Sequence, residues 1–365
     1  MEFCKLSARF SSFPLRFSPV PITPGHTRAH QSNIFPFSTV TATFSSSQAY
    51  KLEWQSQGQM FILGMGFIGQ IFAQELKNEG WVVSGTCTTD IKKEKLQERG
   101  FDVFLFNANK PEQRILDALK HYSHLLVSIP PIVGVGDPML QHMELLRSTL
   151  VDGHLQWLGY LSSTGVYGNC GGAWVDEEYP AKPTTELGKL RLAAEERWLN
   201  LAHDLGLSAQ VFRLGGIYGP GRSAVDTIVK QVPLSESQKL RSSGQYTSRI
   251  HVDDICQVLK ASIQKPSSGN IYNVVDDYPA PREEVFAYAL DLIEEKWSGT
   301  YKESKSMEEA EPFGKKGSLR GEKRVSNARI KKELSVRLLH PSYKSGLQSI
   351  IDQMEKPYQC SFLCS

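Results

Sequence analysis

From Gln59 onward the chain alternates short apolar runs with stretches whose apolar residues recur at helical spacing. The runs Met60–Leu63, Trp81–Thr86, Val103–Phe106, His124–Ile129, Trp157–Ser162 and Ala209–Leu214 read as strands. Between them, Ile68–Asn78, Glu94–Arg99, Pro111–His121, Pro138–Leu150 and Leu190–Leu205 read as helices; in the first, Ile68, Ile71, Phe72 and Leu76 line one face. Strand and helix in alternation predict an α/β fold, a Rossmann-type doubly wound parallel sheet with helices on both faces. Right-handed crossovers then fix the winding. Six such strands complete a dinucleotide-binding fold, and beyond Leu214 the pieces shorten: a helix near Thr227–Gln231, then Arg249–Val252, Asp254–Ser262, Ile271–Val274 and Glu283–Trp297. These predict a small substrate-covering lobe from about residue 215 within a domain spanning 58–350. Residues 351–365 read as a tail, and Gly299 to about Arg324, rich in Lys, Glu, Gly and Ser, as a solvated loop.

The first 57 residues break this pattern. Ser, Thr, Phe and Pro dominate, with Lys5, Arg9, Arg16, Arg28 and Lys51 against only Glu2 and Glu53. A basic, hydroxyl-rich, acid-poor segment of this kind is the signature of an organelle transit peptide. Pro14, Pro19, Pro21 and Pro24 would interrupt the amphipathic helix of a mitochondrial presequence, which favours the chloroplast stroma over the mitochondrion. Removing the segment's five bases and two acids takes the formal charge from +2 to −1. A near-neutral remainder without a basic, aromatic-laced stripe gives no reason to expect nucleic acid as a partner, and no apolar run is long enough to span a membrane. Cys4, Cys87, Cys170, Cys256, Cys360 and Cys364 form no CxxC pair and no metal-ligand spacing with histidine, so no metal is expected.

Candidate chemistry begins at Gly64-Met65-Gly66-Phe67-Ile68-Gly69, which follows the first strand and opens the first helix. In that context each glycine serves a different end. Gly64 turns the chain, Gly66 lets the backbone approach a pyrophosphate, and Gly69 packs helix on strand. Phe67 and Ile68 supply N–H groups of the helix start, where unpaired donors and the helix dipole favour phosphate. The second strand runs into Thr86-Cys87-Thr88-Thr89 without the acid that would bind an adenosine ribose, and Lys92 and Lys93 lie just beyond. Thr88 is thus expected at the ribose, and NADP is favoured over NAD.

Four further segments appear in order: Ser162-Ser163-Thr164-Gly165-Val166-Tyr167-Gly168, Trp174-Val175-Asp176-Glu177, Phe212 through Arg222 (FRLGGIYGPGR), and Arg249-Ile250-His251-Val252-Asp253-Asp254-Ile255. Together with the glycine loop they resemble the extended short-chain dehydrogenase/reductase superfamily, the NAD-dependent epimerase/dehydratase group, and its atypical YeeZ-like branch in particular. The resemblance covers about Gln59 to Ile350. It implies that Ser163 hydrogen-bonds the reacting carbonyl or hydroxyl. It also implies a Tyr-x-x-x-Lys pair, but Leu187 stands at the tyrosine position and Arg191 at the lysine position, where it could hold a nicotinamide ribose. Glu186 and Tyr167 are the nearby candidates for a substitute proton donor; Tyr167 also suits a structural role beneath the site. Arg222 and Arg249 are expected to bind an anion or to pair with Asp253 or Asp254, and Asp254 to cap the helix after it. The implied function is an NADP-dependent oxidoreductase or epimerase-like enzyme acting on a small metabolite; the alternative is a non-catalytic dinucleotide sensor or scaffold. Relatives dimerise through helices corresponding to Pro138–Leu150 and Leu190–Leu205, so a homodimer is possible on the same ground.

Overall fold

The computed structural model describes residues 58–230, 245–298 and 322–355; the transit-peptide reading and most of the Gly299–Arg324 loop fall outside them. Strand β1 (Gln59–Leu63) leads into α1 (Phe67–Asn78), β2 (Val82–Cys87), α2 (Asp90–Glu98), β3 (Asp102–Leu105), α3 (Gln113–Leu119) and β4 (His124–Val127). Helix α4 (Met143–Val151), β5 (Trp157–Ser163), the short β6 (Trp174–Val175), the long α5 (Glu186–Asp204) and β7 (Ser208–Leu214) follow. Next come β8 (Gly216–Tyr218), α6 (Ala224–Val229), β9 (Tyr246–Thr247), β10 (Arg249–His251), α7 (Val252–Gln264), β11 (Asn270–Val274), β12 (Ala280–Pro281) and α8 (Arg282–Lys296). The described chain closes with β13 (Arg324–Val325), α9 (Ala328–Glu333) and α10 (Tyr343–Asp352).

The main sheet is parallel and has seven strands in the order β11-β7-β5-β4-β1-β2-β3, one more than the six expected. The extra strand is β11, which pairs in full register with β7 from Asn270↔Gln210 to Val274↔Leu214 instead of joining the late lobe. Met60, Phe61, Ile62 and Leu63 are all fully buried, as expected for a parallel strand covered on both faces. Ile68, Phe72, Ala73 and Leu76 of α1 pack with Met60 and Ile62 on one face of the sheet. On the other, Leu146 and Leu150 of α4 and Ala194, Trp198 and Leu201 of α5 pack with Phe61, Leu158 and Tyr160. Chain order reverses between β1 and β4, so the crevice of a doubly wound sheet opens beyond the carboxyl ends of these two strands.

The late lobe has its own core, in which Val225 and Val229 of α6, Val285, Ala289 and Ile293 of α8, and Tyr343, Leu347, Ile350 and Ile351 of α10 meet. Helix α10 was not expected; the chain there is helical as far as Asp352, and a capping box at Ser342 and Ser345 starts it. Arg324, placed in the solvated loop by sequence, instead begins β13, which pairs with β6. Helix α5 starts at Glu186, four residues before the expected Leu190, because the Thr185 hydroxyl accepts from Gly188 N at 3.1 Å and caps it. Among the described residues no helix is long and apolar enough to cross a membrane.

Candidate dinucleotide and active site

The glycine loop sits at the reversal point. Gly64 has φ of +102°, a conformation side chains resist, and a Cβ on it would lie 3.3 Å from the Ser128 backbone after β4. A Cβ on Gly69 would come within 2.6 Å of the Gly64 carbonyl oxygen, so glycine there permits the helix to close on the strand. Gly66 differs: a Cβ would meet nothing within 4 Å and would project into open space at the start of α1, whose first turn carries no acid. That open cradle fits a pyrophosphate facing the N–H groups of Phe67, Ile68 and Gly69.

Two groups that fix the loop were not identified from sequence. The Thr86 hydroxyl accepts from Gly64 N at 2.9 Å while the Thr86 carbonyl accepts from Met65 N at 2.7 Å. The Gln70 amide donates to the carbonyls of Met65 and Gly66, both at 3.2 Å, and is itself held by Arg99 at 2.6 Å. Beyond β2, Thr88 is exposed and Thr89 caps α2 by accepting from Lys92 N. The charges of Lys92 and Lys93 act on the Cys87 thiol at the strand end, although burial outweighs them and raises its pKa. The Arg222 guanidinium lies 5.4 Å from the centre of the Phe67 ring, at the mouth of the loop. It pairs with neither Asp253 nor Asp254.

Ser163 ends β5 and caps the short helical turn Thr164–Tyr167 by accepting from Gly165 N at 3.1 Å. Among the described residues its own O–H is uncommitted and can donate to a bound oxygen. Helix α5 starts against this turn: a Cβ on Gly188 would sit 3.3 Å from the Gly165 carbonyl oxygen. Glu186 is exposed in the first turn of α5 and borders a groove of about 380 Å³ shared with Gly134, Gly136, Leu190 and Arg197. Tyr167 is 1% exposed, and its hydroxyl donates to Asn273 Oδ1 at 2.8 Å while accepting from Arg213 at 2.9 Å. Arg213 also forms a forked pair with the buried Glu195, which accepts from Ser162 at 2.5 Å. Tyr167 therefore belongs to a closed polar network under the site, and burial raises its pKa. That state suits structural support rather than proton transfer.

Arg191 lies one turn after Leu187 and is partly buried, which lowers its pKa. It makes no hydrogen bond or ion pair to any described residue. Nearby charge from Arg191 acts on Tyr160, which is fully buried with a hydroxyl that has no hydrogen-bond partner. Its guanidinium is only partly buried and is open to solvent or to a bound group.

Two expectations in the late lobe are corrected. Arg249 donates to the carbonyls of Thr247 and Ala280, at 3.0 and 2.8 Å, and not to Asp253 or Asp254, because β10 points its side chain toward the β9–β12 pair. Asp254 lies inside α7 and accepts instead from Leu339 N at 2.6 Å and His340 N at 3.1 Å; the cap is His251, which accepts from Asp253 N.

A model of the NAD-dependent epimerase/dehydratase family matches residues 139–275. Protein YeeZ of Escherichia coli K12 is 31% identical over 221 residues, covering 58% of this chain and 76% of YeeZ. A conserved protein of unknown function from Silicibacter pomeroyi superposes with a TM-score of 0.65 at 34% identity, covering 82% of this chain and all of its own. UDP-glucuronic acid 4-epimerase from Bacillus cereus, solved with UDP-glucuronic acid and NAD, gives a TM-score of 0.59 at 17% identity over 81% of this chain and 99% of its own, a likeness of fold alone.

Proposed function

Because the chain belongs to the NAD-dependent epimerase/dehydratase family, we propose that it binds a nicotinamide dinucleotide in the Gly64–Gly69 cradle and acts as an oxidoreductase or epimerase-like enzyme on a small metabolite. The observation that carries this reading is Gly66, whose missing side chain leaves open the space in front of the α1 N-terminus. Phosphates there would take the N–H groups of the first turn, and Arg191 would hold the nicotinamide ribose or a neighbouring oxygen. NADP is favoured because no carboxylate closes β2 and two lysines stand beside its end. A bound nicotinamide supplies hydride acceptance or donation. This chain's part is to orient the substrate oxygen through the Ser163 hydroxyl and to exclude water with the late lobe.

Leu187 at the tyrosine position supports a second reading, a dinucleotide-binding sensor without turnover. Leucine transfers no proton, the Tyr167 hydroxyl is already engaged, and Glu186 is the remaining carboxyl at the start of α5. The basic, hydroxyl-rich and acid-poor composition of the first 57 residues supports a chloroplast stromal location, with the mitochondrion as the alternative.

Calorimetric titration of the full chain with NADP, NADPH, NAD and NADH tests the cofactor site. Binding in the micromolar range or tighter, abolished by Gly66→Asp, is the expected result; absence of binding by all four would overturn both readings. If binding holds, a metabolite screen following absorbance of the reduced nicotinamide separates enzyme from sensor.

A further inference from the structure

The chain leaving β8 comes down on the mouth of the glycine loop. Gly219-Pro220-Gly221-Arg222 closes a four-residue turn, with Arg222 N donating to the Gly219 carbonyl at 3.0 Å and Gly219 N to the Arg222 carbonyl at 3.1 Å. Proline in the second position and glycine at φ of +81° in the third are the residues a type II turn calls for. Both flanks of the turn are fixed. Before it, Tyr218 is buried in the late-lobe core with Val225 and Tyr343; after it, the Ser223 hydroxyl accepts from Asp226 N at 3.0 Å and starts α6. The turn also rests on the cofactor loop itself, since a Cβ on Gly219 would come within 2.6 Å of Val252 and 3.3 Å of the Phe67 ring. Arg222 is thus held at the cradle by a firmly seated piece of the late lobe.

The surroundings of Arg222 suit an anion. The residue is exposed, and its guanidinium stands 5.4 Å from the centre of the Phe67 ring. Its side chain makes no hydrogen bond or ion pair to another described residue. Phe67 is the first residue of α1, so one residue offers its backbone N–H to the cradle and its ring to the arginine. A guanidinium resting on an aromatic face keeps its N–H donors for a further partner. No acid stands in the first turn of α1 to take them. The other cations around the loop are placed elsewhere: Arg99 is bound to Gln70, and Lys92 and Lys93 act on Cys87 at the end of β2.

Resting on the dinucleotide reading of this cradle, we infer that Arg222 is a positioning residue for the cofactor, a clasp whose guanidinium takes oxygens of the pyrophosphate held by the α1 N–H groups. A helix end offers a partial positive charge to a group that carries two full negative ones, and the forked donors of an arginine match phosphate oxygens. Because the clasp belongs to the turn between β8 and α6, the same contact ties the late lobe to the sheet when the cofactor is bound. Gly66 makes room for the pyrophosphate, and Arg222 supplies the charge that keeps it there.

The test is calorimetry on the full parent chain, Arg222→Gln and Arg222→Lys with three ligands: NADPH, NADH and ADP-ribose. ADP-ribose retains the pyrophosphate and lacks both the nicotinamide and the ribose phosphate, so it isolates the contact. Arg222→Gln is expected to weaken ADP-ribose and the tighter dinucleotide by roughly tenfold, and Arg222→Lys, which keeps the charge, to recover most of that loss. Added salt should weaken binding more steeply in the parent than in Arg222→Gln, since one cation fewer faces the phosphates in the variant. A side chain that merely packs on Phe67 would not move that salt dependence, and the comparison holds even if Arg222→Gln melts lower than the parent. Unchanged affinity in Arg222→Gln, an equal loss in Arg222→Lys, or parallel salt dependences would each overturn the clasp while leaving the cofactor site standing. Failure of the parent chain to bind any of the three ligands would overturn the dinucleotide reading, and the clasp with it.

Discussion

Arg213 of β7 and Arg191 of α5 carry the same charge, yet they answer to different partners. Arg213 is fully partnered by Glu195 and Tyr167 inside the protein. Arg213→Ala would leave the buried Glu195 uncompensated and is expected to cost about 3–5 kcal/mol in urea unfolding, with loss of folding at ordinary temperature an extreme outcome. Arg191 has no described protein partner, so Arg191→Gln should leave the unfolding midpoint within about 0.5 kcal/mol of the parent. Dinucleotide affinity in the same variant should fall by roughly tenfold, the worth of one charge-assisted hydrogen bond. An unchanged affinity would remove Arg191 from the cofactor site. Asp276 offers a pH test: it is 1% exposed, one carboxyl oxygen has no partner, and burial pushes its pKa up to about 8. The folded state thus holds a proton that the unfolded chain releases near pH 4. Stability contributed by this group is greatest below that value and declines as pH rises toward about 8. Asp276→Asn should flatten this decline and raise the melting temperature at pH 8, measured against the parent across pH 5–8.

At the scale of the element, α1 and its loop show how the surroundings of the glycines at 66 and 69 differ. Gly69→Ala forces a Cβ against the Gly64 carbonyl and should destabilise the fold by about 1–3 kcal/mol, the usual cost of overpacking, while Gly66→Ala has room and should fold as the parent does. Loss of nucleotide binding without loss of stability in the second, read by calorimetry and thermal melting together, separates the two roles. The glycine loop was legible in sequence because a backbone that must turn sharply or admit a phosphate leaves only one residue type. Thr86 and Gln70 hold the same loop, but a threonine closing a strand and a glutamine in a helix carry no mark that sets them apart. Helix α10 had a readable signal in Tyr343, Leu347, Ile350 and Ile351 at helical spacing with Ser342 before them. Asp254 misled because an acid ahead of an apolar run imitates a cap; His251, three residues earlier, takes that place. The pairing of β11 with β7 could not be read from local pattern, since a buried edge strand and a lobe strand have the same apolar run.

For the whole molecule, strand order has a consequence for how the protein is made. The chain lays β2 and β3 to one side of β1 and then places β4, β5, β7 and β11 successively on the other. Each strand after the first therefore docks on an edge that already exists when it leaves the ribosome, and none must be inserted between two earlier ones. The sheet can grow during synthesis without a finished pair having to open. The cost falls on the last addition: until residues 270–274 emerge, β7 presents an unpaired edge, and the apolar surface of Val211 and Phe212 waits for Ile271 and Tyr272. Nascent chains released shortly before residue 270 should aggregate or recruit chaperones, and those released after it should not.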